Sequence, residues 1–95
     1  MLLKNKVAVI HGAGGSMGGA VARAFAKEGA MVVLTGRNLA PLEKVFADIK
    51  NSDGSAEIMQ CDALSEEDVN RCLQQIADKA GVIDISFNAI GLQDE

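Results

Sequence analysis

The residues with the most chemical potential lie together near the start of the chain. His11-Gly12-Ala13-Gly14-Gly15-Ser16-Met17-Gly18-Gly19 carries five glycines in nine positions. Residues without a Cβ let a backbone approach a ligand closely, and the amides at a helix N-terminus aim N–H donors at an anion. The chemistry implied is the holding of a pyrophosphate, with Gly12, Gly14 and Gly18 in the roles that need no Cβ. The interval from Gly12 to Gly18 is one residue longer than G-x-G-x-x-G. A triphosphate-binding P-loop is excluded, because no Gly-Lys-Ser/Thr follows. With no ligand the same segment is simply a glycine-rich turn; the strand before it and the helix after it favour the binding role.

A second group stands about twenty residues on, at Thr35-Gly36-Arg37. Folds that bind NAD or a flavin place Asp or Glu here to hold the ribose hydroxyls. A guanidinium in that place, with no carboxylate beside it, pairs with a 2′-phosphate and so favours NADP(H) over NAD(H). Read as structure alone, Arg37 is a solvated loop arginine.

These groups need a scaffold, and the hydrophobic pattern supplies one. Lys6 to His11 is a β-branched run that reads as a strand buried on both faces. A helix follows from Met17, with Val21, Ala22, Phe25 and Ala26 on one stripe and Gly29 as its stop. Ala30 to Thr35 repeats the strand signature. Asn38 then caps a helix whose stripe is Leu42, Val45, Phe46 and Ile49. After a turn at Asn51 to Ser55, Ala56 to Cys61 is a partly polar third strand nearer the sheet edge. Ser65 and Asp68 form a capping box for a helix through Val69, Cys72, Leu73, Ile76 and Ala80, which ends at Gly81. Val82 to Asn88 is the fourth strand. Strands recurring at intervals of about 25 residues with helices between them imply right-handed crossovers and a parallel α/β sheet. The expected architecture is a Rossmann-type doubly wound sheet of order 3-2-1-4, cut short after the fourth strand. Ile83, Ile85 and Phe87 would then lie on an uncovered edge, guarded only by Asp84, which marks residues 1–95 as the N-terminal part of one dinucleotide-binding domain.

Composition narrows the function classes. The chain has 95 residues, 48% of them hydrophobic and 23% charged, as a folded globular chain does. Net charge is −4 with no basic run, which argues against a nucleic-acid partner. The longest uncharged stretch, Val7 to Ala22, is broken by His11, Ser16 and five glycines and is unsuited to a membrane span. No secretory signal pattern precedes it, so a cytoplasmic location is expected. Cys61 and Cys72, with one His in the whole chain, do not make a four-ligand metal site and read as two buried free thiols.

Taken together, the motifs resemble the short-chain dehydrogenase/reductase family, along the whole chain. The family's opening loop Thr-Gly-x-x-x-Gly-x-Gly is matched at Gly12 and Gly18, with His11 for the Thr and Ser16 for the middle Gly. The alternative spacing Gly-x-x-Gly-x-x-Gly is met by Gly12, Gly15 and Gly18. Cys61-Asp62-Ala63 is similar to the segment whose Asp and following amide hold the adenine; from the residues alone, Asp62 is a turn residue ahead of Ser65. Asp84 to Gly91 is similar to the family's Asp-x-x-x-Asn-Asn-Ala-Gly, with Asn88 and Gly91 kept and Ala89 and Ile90 substituted. The resemblance implies cofactor contacts from Gly12, Gly14, Gly15, Ser16, Met17, Gly18, Arg37, Asp62, Ala63, Asn88, Ala89 and Gly91, Asn88 acting through the sheet. It makes His11 a brace for the loop rather than a proton shuttle.

The resemblance implies hydride transfer between a nicotinamide and a small carbonyl or alcohol substrate, with the 3-oxoacyl reductases as one such class, in a protein that forms dimers or tetramers. The family's proton donors, a Ser and a Tyr-x-x-x-Lys pair, come after the fourth strand, and this chain contains no Tyr. None of its residues is therefore assigned a catalytic role, and the 95 residues alone are expected to be inactive. Two other readings use the same loop: a non-catalytic NADP(H)-sensing module, and an S-adenosylmethionine site, against which Gly36 stands where an acid is needed.

Overall fold

Four short runs rich in Val, Ile and Ala form a parallel sheet, and the three amphipathic runs between them form helices. The computed structural model describes residues 2–62 and 64–89. Its elements are β1 (Val7–His11), α1 (Ser16–Lys27), β2 (Met31–Gly36), α2 (Leu39–Asn51), β3 (Ser55–Gln60), α3 (Glu66–Ala80) and β4 (Ile85–Asn88). The sheet order is β3-β2-β1-β4 with every pair parallel, the doubly wound α/β arrangement that the alternating pattern implies.

The two central strands are buried on both faces because side chains alternate across a strand. Ala8, Ile10, Val32 and Leu34 face one layer, where they pack with Ala22 of α1 and Leu42, Val45 and Ile49 of α2. Val9 and Val33 face the other, against Ile76 of α3. Ile85 and Phe87 pack on the first cluster and Ile83 on the second, all three partly buried. Along β3, only Ala56 is fully withdrawn from solvent, as an edge strand requires.

Several boundaries differ from the sequence expectation for local reasons. The Ala30 amide bonds the Phe25 carbonyl at 3.1 Å, so Ala30 belongs to the termination of α1, and β2 runs from Met31 to Gly36. β1 begins at Val7, and β3 spans Ser55–Gln60 rather than reaching Cys61. β4 begins at Ile85, not Val82. Val82 is exposed, and the Asp84 carboxylate, rather than a ladder carbonyl, accepts the Val7 amide at 2.8 Å. Asp84 thus closes the start of β1. Ala80, expected on the apolar stripe of α3, is exposed.

The helix starts also depart from expectation. Asn38 occupies the N-cap of α2 but its side chain accepts no capping bond; the third helical residue is Pro41, which has no N–H to give. The capping box at α3 is half formed. Ser65 Oγ accepts the Asp68 amide at 3.2 Å, but the Asp68 carboxylate turns away to the Asp62 amide and Arg71.

Leu42 is wholly buried, and its side chain lies in the space that a Cβ at Gly14 or Gly36 would meet, 3.8 and 3.3 Å away. It therefore packs directly beneath the loops that follow β1 and β2. Leu42→Ala should lower unfolding free energy by about 2–5 kcal/mol, read from the urea midpoint with the slope unchanged.

Candidate cofactor-binding site

In a parallel sheet all strands end on the same side, and ligands bind beyond those ends where the strand order reverses. Here the reversal lies between β1 and β4, and hydrogen bonds tie the four strand ends into one row. The amides of Gly12 and Ala13 both donate to the Thr35 carbonyl at 3.0 Å. The Cys61 amide donates to Gly36 O at 2.9 Å, Gln60 Nε2 to Arg37 O at 2.8 Å, and the Ala89 amide to His11 O at 2.9 Å. The row thus reads Asp62, Arg37, Gly12, Ala89 from one edge to the other.

The glycine turn has the properties an anion cradle needs. Gly12 has φ of 77°, a conformation costly for other residues. Gly18 is buried so close to Gly12 that a Cβ would collide with the Gly12 carbonyl; it lets α1 approach the end of β1. Gly14, Ser16 and Met17 are exposed and Gly15 half-exposed. No side chain caps the N-terminus of α1, and its first turn holds no acid, so the positive end of the helix faces outward with its leading amides available to an anion.

Arg37 is exposed, and its guanidinium makes no hydrogen bond or ion pair among the described residues. It stands on the loop that Gln60 holds, two residues past the Thr35 carbonyl that anchors the glycine turn. Asp62 behaves as the turn residue its local sequence suggests: Oδ1 accepts the Leu64 amide at 3.0 Å and its carbonyl the Ser65 amide at 3.0 Å. Asn88 is paired in register with His11, and Ala89 is fully buried. Ala63 and Gly91 lie outside the described residues.

His11 is buried as a structural side chain, with Nδ1 3.0 Å from Thr35 Oγ1. Thr35 Oγ1 donates to the Ile10 carbonyl at 3.3 Å, so its lone pair receives the imidazole proton and the hydrogen-bond network assigns the Nδ1–H tautomer. The sequence assigns Thr35 no role beyond its place in Thr35-Gly36-Arg37, and none to Gln60 or Pro41. A polar residue ending a buried apolar strand, in register with another such residue, is the signal that could have found Thr35.

A profile of the short chain dehydrogenase family matches residues 6–95. The chain belongs to the short-chain dehydrogenase family. An uncharacterised oxidoreductase of Bacillus subtilis is 40% identical over 93 residues, 98% of this chain and 34% of that protein. A metagenomic short-chain oxidoreductase solved with NADP superimposes with a TM-score of 0.87 at 31% identity, over 90% of this chain and 39% of that one. An NAD+-bound xylitol dehydrogenase gives 0.85 at 32%, over 90% and 33%. The chain therefore spans about a third of the length of the relatives it matches. No helix among the described residues is long and apolar enough to cross a membrane.

Burial lowers the pKa of His11 below its usual 6.5. The unfolded chain then binds a proton more readily than the folded one, so stability falls as pH drops below about 6.5 toward the folded value. The urea midpoint should decrease between about pH 7 and pH 5, and His11→Gln should flatten that dependence because no other imidazole exists.

Proposed function

We propose that residues 1–95 are the N-terminal, cofactor-binding part of an NADP(H)-dependent oxidoreductase acting on a small carbonyl or alcohol. The observation that carries this reading is Arg37, whose guanidinium has no partner among the described residues and whose backbone follows the Thr35 carbonyl that anchors the glycine turn before an uncapped helix N-terminus. The pyrophosphate would lie over Gly12, Gly14, Gly15, Ser16 and Met17, with Gly18 allowing the close helix approach. Arg37 would take the 2′-phosphate through charge-assisted hydrogen bonds. The adenine would rest near Asp62 and Ala63, and the nicotinamide ribose near Ala89 and Gly91, with Asn88 bracing the sheet between them.

When bound, the nicotinamide supplies or accepts the hydride. What these residues contribute is position: they fix the dinucleotide along the strand ends and meet its charge with amides and one guanidinium. With no Tyr in the chain, proton donation to substrate is assigned outside it. A cytoplasmic oligomer acting on a 3-oxoacyl or similar substrate is consistent with the reading. The NADP-bound structural relative supports the 2′-phosphate assignment, while the NAD+-bound one leaves the choice to Arg37 itself.

Arg37→Glu tests this directly. NADPH affinity should fall by about 10- to 100-fold, the loss expected for hydrogen bonds to a charged group, while NADH affinity changes far less. The readout is a fluorescence titration of both cofactors; equal losses for the two would reject the NADP(H) assignment.

A further inference from the structure

One cluster of side chains borders the Asp62 end of the nucleotide row and is assigned no part in holding the dinucleotide. Cys61, just past β3, and Cys72, in the second turn of α3, are both free and buried. Their Sγ atoms and a carboxylate oxygen of Asp68 lie within 4.8 Å of one another. Each thiol makes a weak bond to a backbone carbonyl, Cys61 to Asp68 O and Cys72 to Gln60 O, both at 3.8 Å, and the two thiols also contact each other. The Asp68 carboxylate is shared between the Asp62 amide at 2.7 Å and Arg71, whose guanidinium reaches Oδ1 at 2.5 Å and stands 3.6 Å from Cys72 Sγ. Arg71 is thus a cation already placed against both a thiol and the carboxylate. A depression of about 470 Å³ lined by Asp62, Ser65, Glu67, Asp68 and Arg71 opens this corner to solvent.

We propose that Cys61, Cys72 and Asp68 form a binding site for one thiophilic divalent cation, of the class of Zn²⁺ and Cd²⁺. Two sulfurs and a carboxylate select such ions over Mg²⁺ or Ca²⁺, which prefer oxygen. Metal–ligand bonds of about 2.0–2.3 Å put tetrahedral donors roughly 3.5–3.8 Å apart, so the three groups need to draw in by about 1 Å. Of the three donors, Asp68 is the one that lines the depression, so solvent would reach the ion from the carboxylate side. On binding, two metal–sulfur bonds and one metal–oxygen bond form, both thiol protons pass to solvent, and Arg71 gives up Asp68. Burial, then the neighbouring Cys72, push the Cys61 thiol up to about 12; only an ion that binds thiolate strongly displaces that proton. The same uptake would loosen Asp68 from the Asp62 amide and so reach the β3–α3 loop.

The test is an anaerobic titration of the purified protein with Cd²⁺. The site predicts saturation at one ion per chain, a thiolate-to-metal charge-transfer band, and release of two protons per ion from the two cysteines. Cys61→Ser or Cys72→Ser should reduce the band to about half or less and weaken binding by at least about tenfold. Because a buried serine could prevent folding, the decisive variant is Arg71→Ala, whose side chain is 51% exposed; it should tighten Cd²⁺ binding several-fold by freeing Asp68. Absence of a thiolate band at saturating Cd²⁺, or Arg71→Ala with affinity unchanged or lowered, would overturn the proposal.

Discussion

The Thr35 carbonyl, at the end of β2, accepts the amides of both Gly12 and Ala13, and the geometry of the candidate site depends on that contact. It carries the β1–β2 pairing one step beyond the ladder and turns the chain into the glycine loop. The Thr35 hydroxyl meanwhile links His11 to the Ile10 carbonyl. A buried polar group left without a partner costs about 1–3 kcal/mol; here a serial arrangement satisfies the imidazole, the hydroxyl and two loop amides together. The family's Thr at the position of His11 is replaced by a larger group, and Thr35 on the adjacent strand receives it.

From that anchor the row of strand ends follows. Parallel register places Thr35 beside His11 and Met59, and His11 beside Asn88, so loops far apart in sequence emerge side by side. Gly18 lets α1 pack against the Gly12 carbonyl, and Leu42 fills the space below Gly14 and Gly36. The exposed amides and Arg37 thus sit on a buried support. Such a site binds by preorganised donors and charge, and that is the part of an oxidoreductase these residues are suited to supply.

Much of this was readable in sequence, because short-range patterns carry it. The strand order, the alternation of layers, the glycine turn and the structural role of His11 all came from periodicity, glycine spacing and family motifs. What was not readable depends on contacts between distant residues. Asn38 makes no capping bond, Asp84 adds a side-chain bond to the Val7 amide beside its own amide's bond to the Val7 carbonyl, and Asp68 leaves its capping box for Asp62. The separation of eleven positions between Cys61 and Cys72 likewise hides that a strand end and a helix turn bring both thiols to one carboxylate. Asp62 kept two readings, and its visible hydrogen bonds are those of the turn.

The most direct measurement of the central claim is NMR mapping of backbone amides during titration of the purified protein with NADPH. The account predicts saturable shifts confined to Gly12 to Gly18, Arg37, Asp62 and Ala89, with the opposite end of the sheet unmoved. Absence of saturable shifts, or shifts centred away from the strand ends, would contradict it.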